Sequence, residues 1–468
     1  MSPKKEMGAA LPPLQKNQEL ILRITDLNNL GCGVGRTESG QVVFVKGAVT
    51  GDTVRAKIIK VAKHYAVGRL EEVLTASPDR SEETFCSAPM SCGGCVYRNL
   101  TYERELEVKR GYVKNAFAKA GLPEVTVLPV RTADRVTHYR NKGQYPVAGT
   151  KDGLRAGFFA TGTHRVIPCE DCLIQNESFY DMVRFVTEFG TAHGWTAYDE
   201  ESGKGLLRHI YLRVGEKTGE YMLCLVINGK RLPNEADFVT AVTTLFPQIV
   251  SLQINENTKQ TNVILGDRYR LLYGSETITD QLCGLRFRLA PAAFYQVNRD
   301  AAELLYTLGA EAAGLSGKEV LMDLYCGTGT IGLSMAKKAK KLVGVEIVPS
   351  AVACARENAR ENGIENAEFF CADAGDREVI LKAAGGVRPD VVVIDPPRKG
   401  STRELVECLA QLEVPKIVYI SCDPDTLARD AVWFRERGYD IGPVTPVDLF
   451  PRTGHVESVV CLTRRVDR

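Results

Sequence analysis

From about residue 294 to the C-terminus, short runs of nearly unbroken apolar residues alternate with helical patterns, and nothing else in the chain restricts its fold as strongly. The runs are VLMDLY, KLVGVE, AEFFCA, VVVIDPP, KIVYISC and SVVCLTR. A strand that is apolar on both sides needs cover on both faces, and the intervening helices supply it. The reading is an α/β domain built on a parallel, doubly wound, Rossmann-like sheet. One covering helix is expected from Ser350 to Asn362, where Ala351, Ala355 and Ala359 recur on one face and Gly363 lies past the end. Such sheets bind ligands outside the carboxyl ends of their strands, so the residues that follow each run carry the functional information.

After the first run comes Asp323-Leu324-Tyr325-Cys326-Gly327-Thr328-Gly329-Thr330. Its glycines let the backbone turn tightly and come close to a ligand. Such a turn is shared with NAD enzymes and is weak evidence alone. Roughly 20 residues on, the second strand ends in Glu346, placed to hydrogen-bond ribose hydroxyls. The turn reads G-T-G-T-I-G rather than the full dinucleotide fingerprint, and two further strands end in Asp373 and Asp395. S-adenosylmethionine, which has one ribose and no pyrophosphate, fits this pattern better than NAD.

The fourth run continues into Asp395-Pro396-Pro397-Arg398-Lys399-Gly400, the fifth into Ser421-Cys422-Asp423-Pro424, and Gly454-His455-Val456-Glu457 leads into the last. Asp395, Cys422 and Glu457 are therefore expected to converge beside the cofactor. The trio has a chemical logic. C5 of uracil is too weak a nucleophile to attack a sulfonium methyl unaided. A thiolate adding at C6 makes C5 an enolate carbon that can take the methyl, and a base must then remove the C5 proton so that the thiol can leave. Cys422 suits the first role and Glu457 the second, with Arg398 or Lys399 favouring the thiolate. A single cysteine after a strand is more often a small core residue; its place between DPPRKG and HVE argues otherwise.

At 468 residues the chain is long enough for two to four domains. Residues 1–14 are expected as a flexible tail. Residues 15–77 read as short alternating strands with Gly and Asp turns, a small OB-like β-barrel of a kind that binds irregular RNA; the bland alternative is a barrel that only packs. Residues 78–290 read as a central α+β domain, and residues 291–468 as the α/β domain. In the central stretch basic and aromatic residues interleave at Arg131, Arg135, His138, Tyr139, Arg140, Lys142 and Tyr145, then at Arg155, Phe158, Phe159, His164 and Arg165. That mixture suits unstacked bases and phosphates, and equally suits solvated strands with core aromatics. A net charge of +1 neither supports nor excludes RNA, since local potential guides phosphate. Neither a transmembrane run nor a secretory h-region is expected. Without a signal peptide, the 14 cysteines point to thiols, metal or catalysis rather than disulfides. Cys86, Cys92 and Cys95 crowd one glycine-bearing loop, and Cys172 or Cys169 could complete four ligands for a [4Fe–4S] cluster or zinc.

DLYCGTG, DPPRKG, SCDP and HVES in this order, preceded by Phe294-Tyr295-Gln296-Val297-Asn298, closely resemble the TrmA/RumA family of RNA (uracil-5-)-methyltransferases over nearly the whole chain. The resemblance implies Cys422 as nucleophile and Glu457 as base. It implies Gln296, Tyr325, Glu346 and Asp395 around S-adenosylmethionine, with Thr330 and Asp373 as further contacts, and Phe294 stacking near the target base. The first segment resembles the TRAM domain of RumA-type enzymes. The same branch implies a [4Fe–4S] cluster on Cys86, Cys92, Cys95 and Cys172, with Cys169 a bystander. Asp423 departs from the usual Asn, and an acid there opposes thiolate formation unless it is neutralised or turned away.

Cluster-based radical chemistry would need C-x3-C-x2-C, whereas the first spacing here is x5. An amino-group methyltransferase on adenine or guanine usually has an aromatic after the prolines, where this chain has Arg398. An RNA-binding iron–sulfur protein with a vestigial methyltransferase domain does not account for Cys422 and Glu457. The resemblance to the RumA-type branch implies bacterial 23S ribosomal RNA as the substrate, with transfer RNA the alternative, and the uridine must be unstacked into the pocket. The enzyme is expected to be cytoplasmic and monomeric, with neither DNA nor membrane as a partner.

Overall fold

The computed structural model describes residues 14–81 and 86–465, so the expected tail lies outside the described residues except for Leu14. The chain forms two compact units. One comprises Met1–Phe85, Gly94–Tyr112 and Arg452–Gly454, the other Cys86–Gly93, Val113–Pro451 and His455–Arg468.

In the first unit β1 (Glu19–Leu27), β2 (Cys32–Arg36), β3 (Val42–Lys46), β4 (Thr53–Val61) and β5 (Tyr65–Thr75) close a barrel in the order β1-β2-β3-β5-β4. The period-two pattern of β4 turns Val54, Ala56 and Ile58 inward against Leu22, Ile24, Val43, Val45 and Ala66. Asp52, just before β4, is fully buried. It accepts hydrogen bonds from the Val49 N–H (2.7 Å) and the Ser77 N–H (2.9 Å) and pairs with Arg80. Removing one partner of a buried pair strands the other, a loss of about 3–5 kcal/mol. Because the Arg80 side chain keeps 20% exposure, Asp52→Ala is expected near the lower end, about 3 kcal/mol, in urea unfolding. A loss below about 1 kcal/mol would show that Asp52 does not hold the barrel closed.

The second unit contains both remaining large sheets. A seven-stranded sheet runs in the order Arg268–Gly274, Ile249–Glu256, Glu220–Ile227, Leu207–Gly215, Lys142–Thr150, Gly153–Phe159 and Val166–Pro168. Helices Ser178–Ala192 and Glu235–Leu245 cover one face through Phe179, Met182, Val186, Phe238 and Val242. On the other face, Tyr211, Met222 and Cys224 join the same apolar core as Leu305, Leu321, Val393 and Ile420 of the C-terminal stretch. The strands expected as a separate central domain thus share a core with the α/β part.

That part is a nine-stranded sheet. Ala367–Cys371, Lys341–Glu346, Val320–Leu324, Val391–Ile394 and Lys416–Ser421 lie side by side and parallel, as their apolar runs require. The last strand, Glu457–Arg464, instead runs antiparallel to Lys416–Ser421. Helix Pro349–Glu361 lies within a residue of its expected start and end, and Gly363 follows at φ 62°. Among the described residues no helix is long and apolar enough to cross a membrane.

Candidate active site

The strand order reverses between Val320–Leu324 and Val391–Ile394, and the crevice outside their carboxyl ends is where a doubly wound sheet takes a ligand. Tyr325 opens the turn at φ 62°, a left-handed conformation that costs a non-glycine residue about 1–2 kcal/mol and is kept where the surroundings enforce it. Gly329, at φ 82°, turns the chain into helix Thr330–Met335. The Glu346 carboxylate accepts from the Gly327 N–H (3.1 Å) and the Val348 N–H (2.9 Å), tying the turn to the next loop. The Thr330 hydroxyl lies 3.2 Å from that of buried Tyr306. Asp373 is exposed and accepts from the Gly375 N–H at 2.9 Å. Gln296 is held by its carbonyl, which accepts from Asn141 Nδ2 at 2.9 Å. Phe294, on the same loop, is 66% exposed.

Sequence reasoning passed over Asp323, although its position at a strand end was the available signal. It is fully buried, and one oxygen accepts from the Gly332 N–H (2.8 Å) while the other has no partner. Burial, together with Asp395 and Glu346, pushes its carboxyl up to about 7. An orphaned acceptor beside a glycine turn fits a ligand that brings donors and positive charge, as S-adenosylmethionine does.

Cys422 and Glu457 meet because Ser421 opposes Ser458 in the antiparallel pair, which leaves the two residues at the same sheet end. Asp395 and Arg398 lie close enough to act on both. Burial pushes Asp395 up to about 7. Glu457, 5% exposed, goes up to about 8 through burial and Asp395, against the pull of Arg398. The Cys422 thiol rises to about 11 through burial, Glu457 and Asp395, again opposed by Arg398. Asp423 adds least to that rise. Its carboxylate caps helix Pro424–Glu436, accepting from the Asp425 and Thr426 N–H groups at 3.0 Å each, so it serves the helix terminus.

A carboxyl whose folded value lies above its unfolded value destabilises the fold once it must ionise. The penalty begins above the unfolded value and is complete only above the folded one, about 8 for Glu457. Glu457→Gln is therefore expected to raise the melting temperature of ligand-free protein by several degrees at pH 8.5 and hardly at all at pH 5. An equal gain at both pH values would contradict the buried-acid account.

Ser87 donates its N–H and its hydroxyl to Asp171, each at 2.9 Å, bringing Cys86 towards Cys169 and Cys172. The latter two share a thiol hydrogen bond that lowers Cys172 to about 7 and raises Cys169. Among the described residues no three His, Cys, Asp or Glu side chains are arranged to hold a metal. The ligand set expected on Cys86, Cys92, Cys95 and Cys172 is therefore not found. Cys172 engages Cys169.

The chain matches the tRNA (Uracil-5-)-methyltransferase family over residues 101–465 and the TRAM domain over residues 13–70. An uncharacterized RNA methyltransferase of Clostridium acetobutylicum is 41% identical over 459 residues, covering 97% of this chain and 99% of that protein. One from Bacillus cereus is 41% identical over 456 residues, covering 97% and 98%. Among solved structures, the Pyrococcus abyssi tRNA (uracil-54, C5)-methyltransferase in complex with S-adenosyl-L-homocysteine superposes with a TM-score of 0.77 at 26% identity, over 95% of this chain and all of that one. With its TRAM barrel and its match over most of its length, the chain belongs to the tRNA (uracil-5-)-methyltransferase family of RNA methyltransferases.

Proposed function

We propose that the protein transfers a methyl group to C5 of a uridine in RNA, with Cys422 as nucleophile and Glu457 as base. The observation that carries this reading is the meeting of Cys422, Glu457, Asp395 and Arg398 at one end of the sheet. S-adenosylmethionine supplies an electrophilic methyl on a positively charged sulfur. Tyr325, Thr330, Glu346, Asp373, Asp395 and Gln296 would hold it, and its charge would relieve the crowding of Asp323, Asp395 and Glu457. Phe294 stacks the uracil. Cys422, its thiol proton lost to solvent, would add through sulfur to C6, and the electron pair displaced to C5 would take the methyl as its bond to the sulfonium sulfur breaks, leaving S-adenosylhomocysteine. Glu457 then takes the C5 proton, and the C6–sulfur bond breaks as the ring double bond re-forms. Arg398, which pulls both groups towards their charged forms, favours the thiolate and the free base.

The substrate proposed is 23S ribosomal RNA. Transfer RNA is the second reading, favoured by the Pyrococcus abyssi neighbour, whose name specifies a tRNA uracil. Transcripts of each RNA incubated with methyl-labelled S-adenosylmethionine and digested to nucleosides distinguish the two. Label in 5-methyluridine is expected, and the labelled RNA identifies the substrate. Label in methylated adenosine or guanosine would overturn the C5 reading.

A further inference from the structure

Three cations gather where one face of the seven-stranded sheet meets the α/β core. Lys142 stands directly opposite Arg213 in the pairing of their strands, and Arg140 lies two residues before Lys142. Arg213 is fully buried and donates to the carbonyls of Ala290 and Ala293, both at 2.8 Å, just before Phe294. Between the other two cations, Asn141 donates its backbone N–H to the Val297 carbonyl (2.8 Å) and its side-chain amide to the Gln296 carbonyl. The cluster is thus built against the loop that presents Phe294.

Neighbouring arginines are matched. Arg135 pairs with Glu216 (2.8 Å) and Asp300 (3.2 Å), and Arg299 with Glu303 (2.7 Å). Among the described residues no ion pair engages Arg140 or Lys142, and Arg140 Nε is buried without a hydrogen-bond partner. Burial and the charges of Arg213 and Arg140 hold the Lys142 amine down to about 8. Half-buried cations set beside one another are costly unless an anion joins them. A guanidinium fork and an ammonium together suit a phosphodiester.

We propose that Arg140 and Lys142, backed by Arg213, bind a backbone phosphate of the RNA next to the uridine stacked on Phe294. This rests on the proposed function. In that role the pair fixes the strand while the base leaves its stack, and it contributes to affinity without choosing the base.

The test uses full-length wild type, Arg140→Gln and Lys142→Met with 5-fluorouridine-containing 23S ribosomal and transfer RNA transcripts. RNA affinity is measured as a function of salt, and S-adenosylmethionine affinity separately. Each variant is expected to bind the accepted RNA about tenfold more weakly, with a log–log salt slope smaller by about one, and to bind the cofactor unchanged. Lys142→Met removes a crowded cation and is expected to melt no lower than wild type, so weaker RNA binding cannot be ascribed to unfolding. Unchanged RNA affinity and slope would overturn the proposal, as would loss of cofactor binding instead, which would assign the cations to the cofactor carboxylate. If wild type forms an adduct and the variants bind RNA normally, only this proposal fails. If wild type forms no adduct with either RNA, the proposed function fails as well.

Discussion

Cys422→Ala is expected to abolish methyl transfer, lowering turnover at least about 10⁴-fold, or about 5.5 kcal/mol of transition-state stabilisation. The size follows from the chemistry. Without addition at C6, C5 never gains the electron density needed to attack a sulfonium methyl, and it is the Cys422 thiol on which Glu457, Asp395 and Arg398 all act, whereas Cys326, at the same end of the sheet, is acted on by Asp323 and Glu346. Cys422 is only half-buried and lies just past its strand, so the substitution opens little core and the melting temperature should hold within a few degrees. Cofactor affinity should stay within about twofold, because the residues proposed to hold the cofactor lie on other loops. Turnover assays beside cofactor titration check both; turnover reduced less than tenfold would make Cys422 a packing residue.

Glu457→Gln is expected to act later in the reaction. The isosteric amide keeps the shape of the site and cannot take a proton, so the thiol addition and the methyl transfer occur and the C5 proton stays. Loss of a general base usually costs about 10²–10⁴-fold, and here the loss falls on release. The variant should therefore hold one equivalent of methylated RNA covalently on ordinary uridine, without a fluorinated analogue, where wild type holds none at steady state. Rapid-quench gels resolve the two. The high folded value of Glu457, about 8, adds a pH signature: wild-type release should accelerate as pH rises towards 8, and the variant should lose that dependence.

The parallel strands could be read in advance because they are apolar on both sides and end at ligand-bearing residues. Val320–Leu324 and Val391–Ile394 are almost wholly buried, as their composition demands. The barrel could be read from alternation in β4. What covers the second face of the central sheet could not. Every residue of Leu207–Gly215 is buried, so no periodicity separates a face packed by helices from one packed by another sheet. Arg213 reads as a solvated charge until its carbonyl partners are known. Cysteine spacing shows which sulfurs are near in sequence and not which share a hydrogen bond, so the Cys169–Cys172 pair was out of reach. Asp423 is the opposite case. An acid before Pro424 at a helix start is a recognisable cap, and that signal points its carboxylate towards the helix.

The most direct test of the account is to incubate the protein with S-adenosylmethionine and RNA transcripts carrying 5-fluorouridine, then digest it and map the RNA-linked peptide by mass spectrometry. Fluorine at C5 leaves no proton for Glu457 to take, so the adduct should persist. The account predicts a peptide containing Cys422 that carries a methylated fluorouridine nucleotide, and no such peptide from Cys422→Ala. An RNA link at another cysteine, or methyl transfer with no link at all, would contradict it.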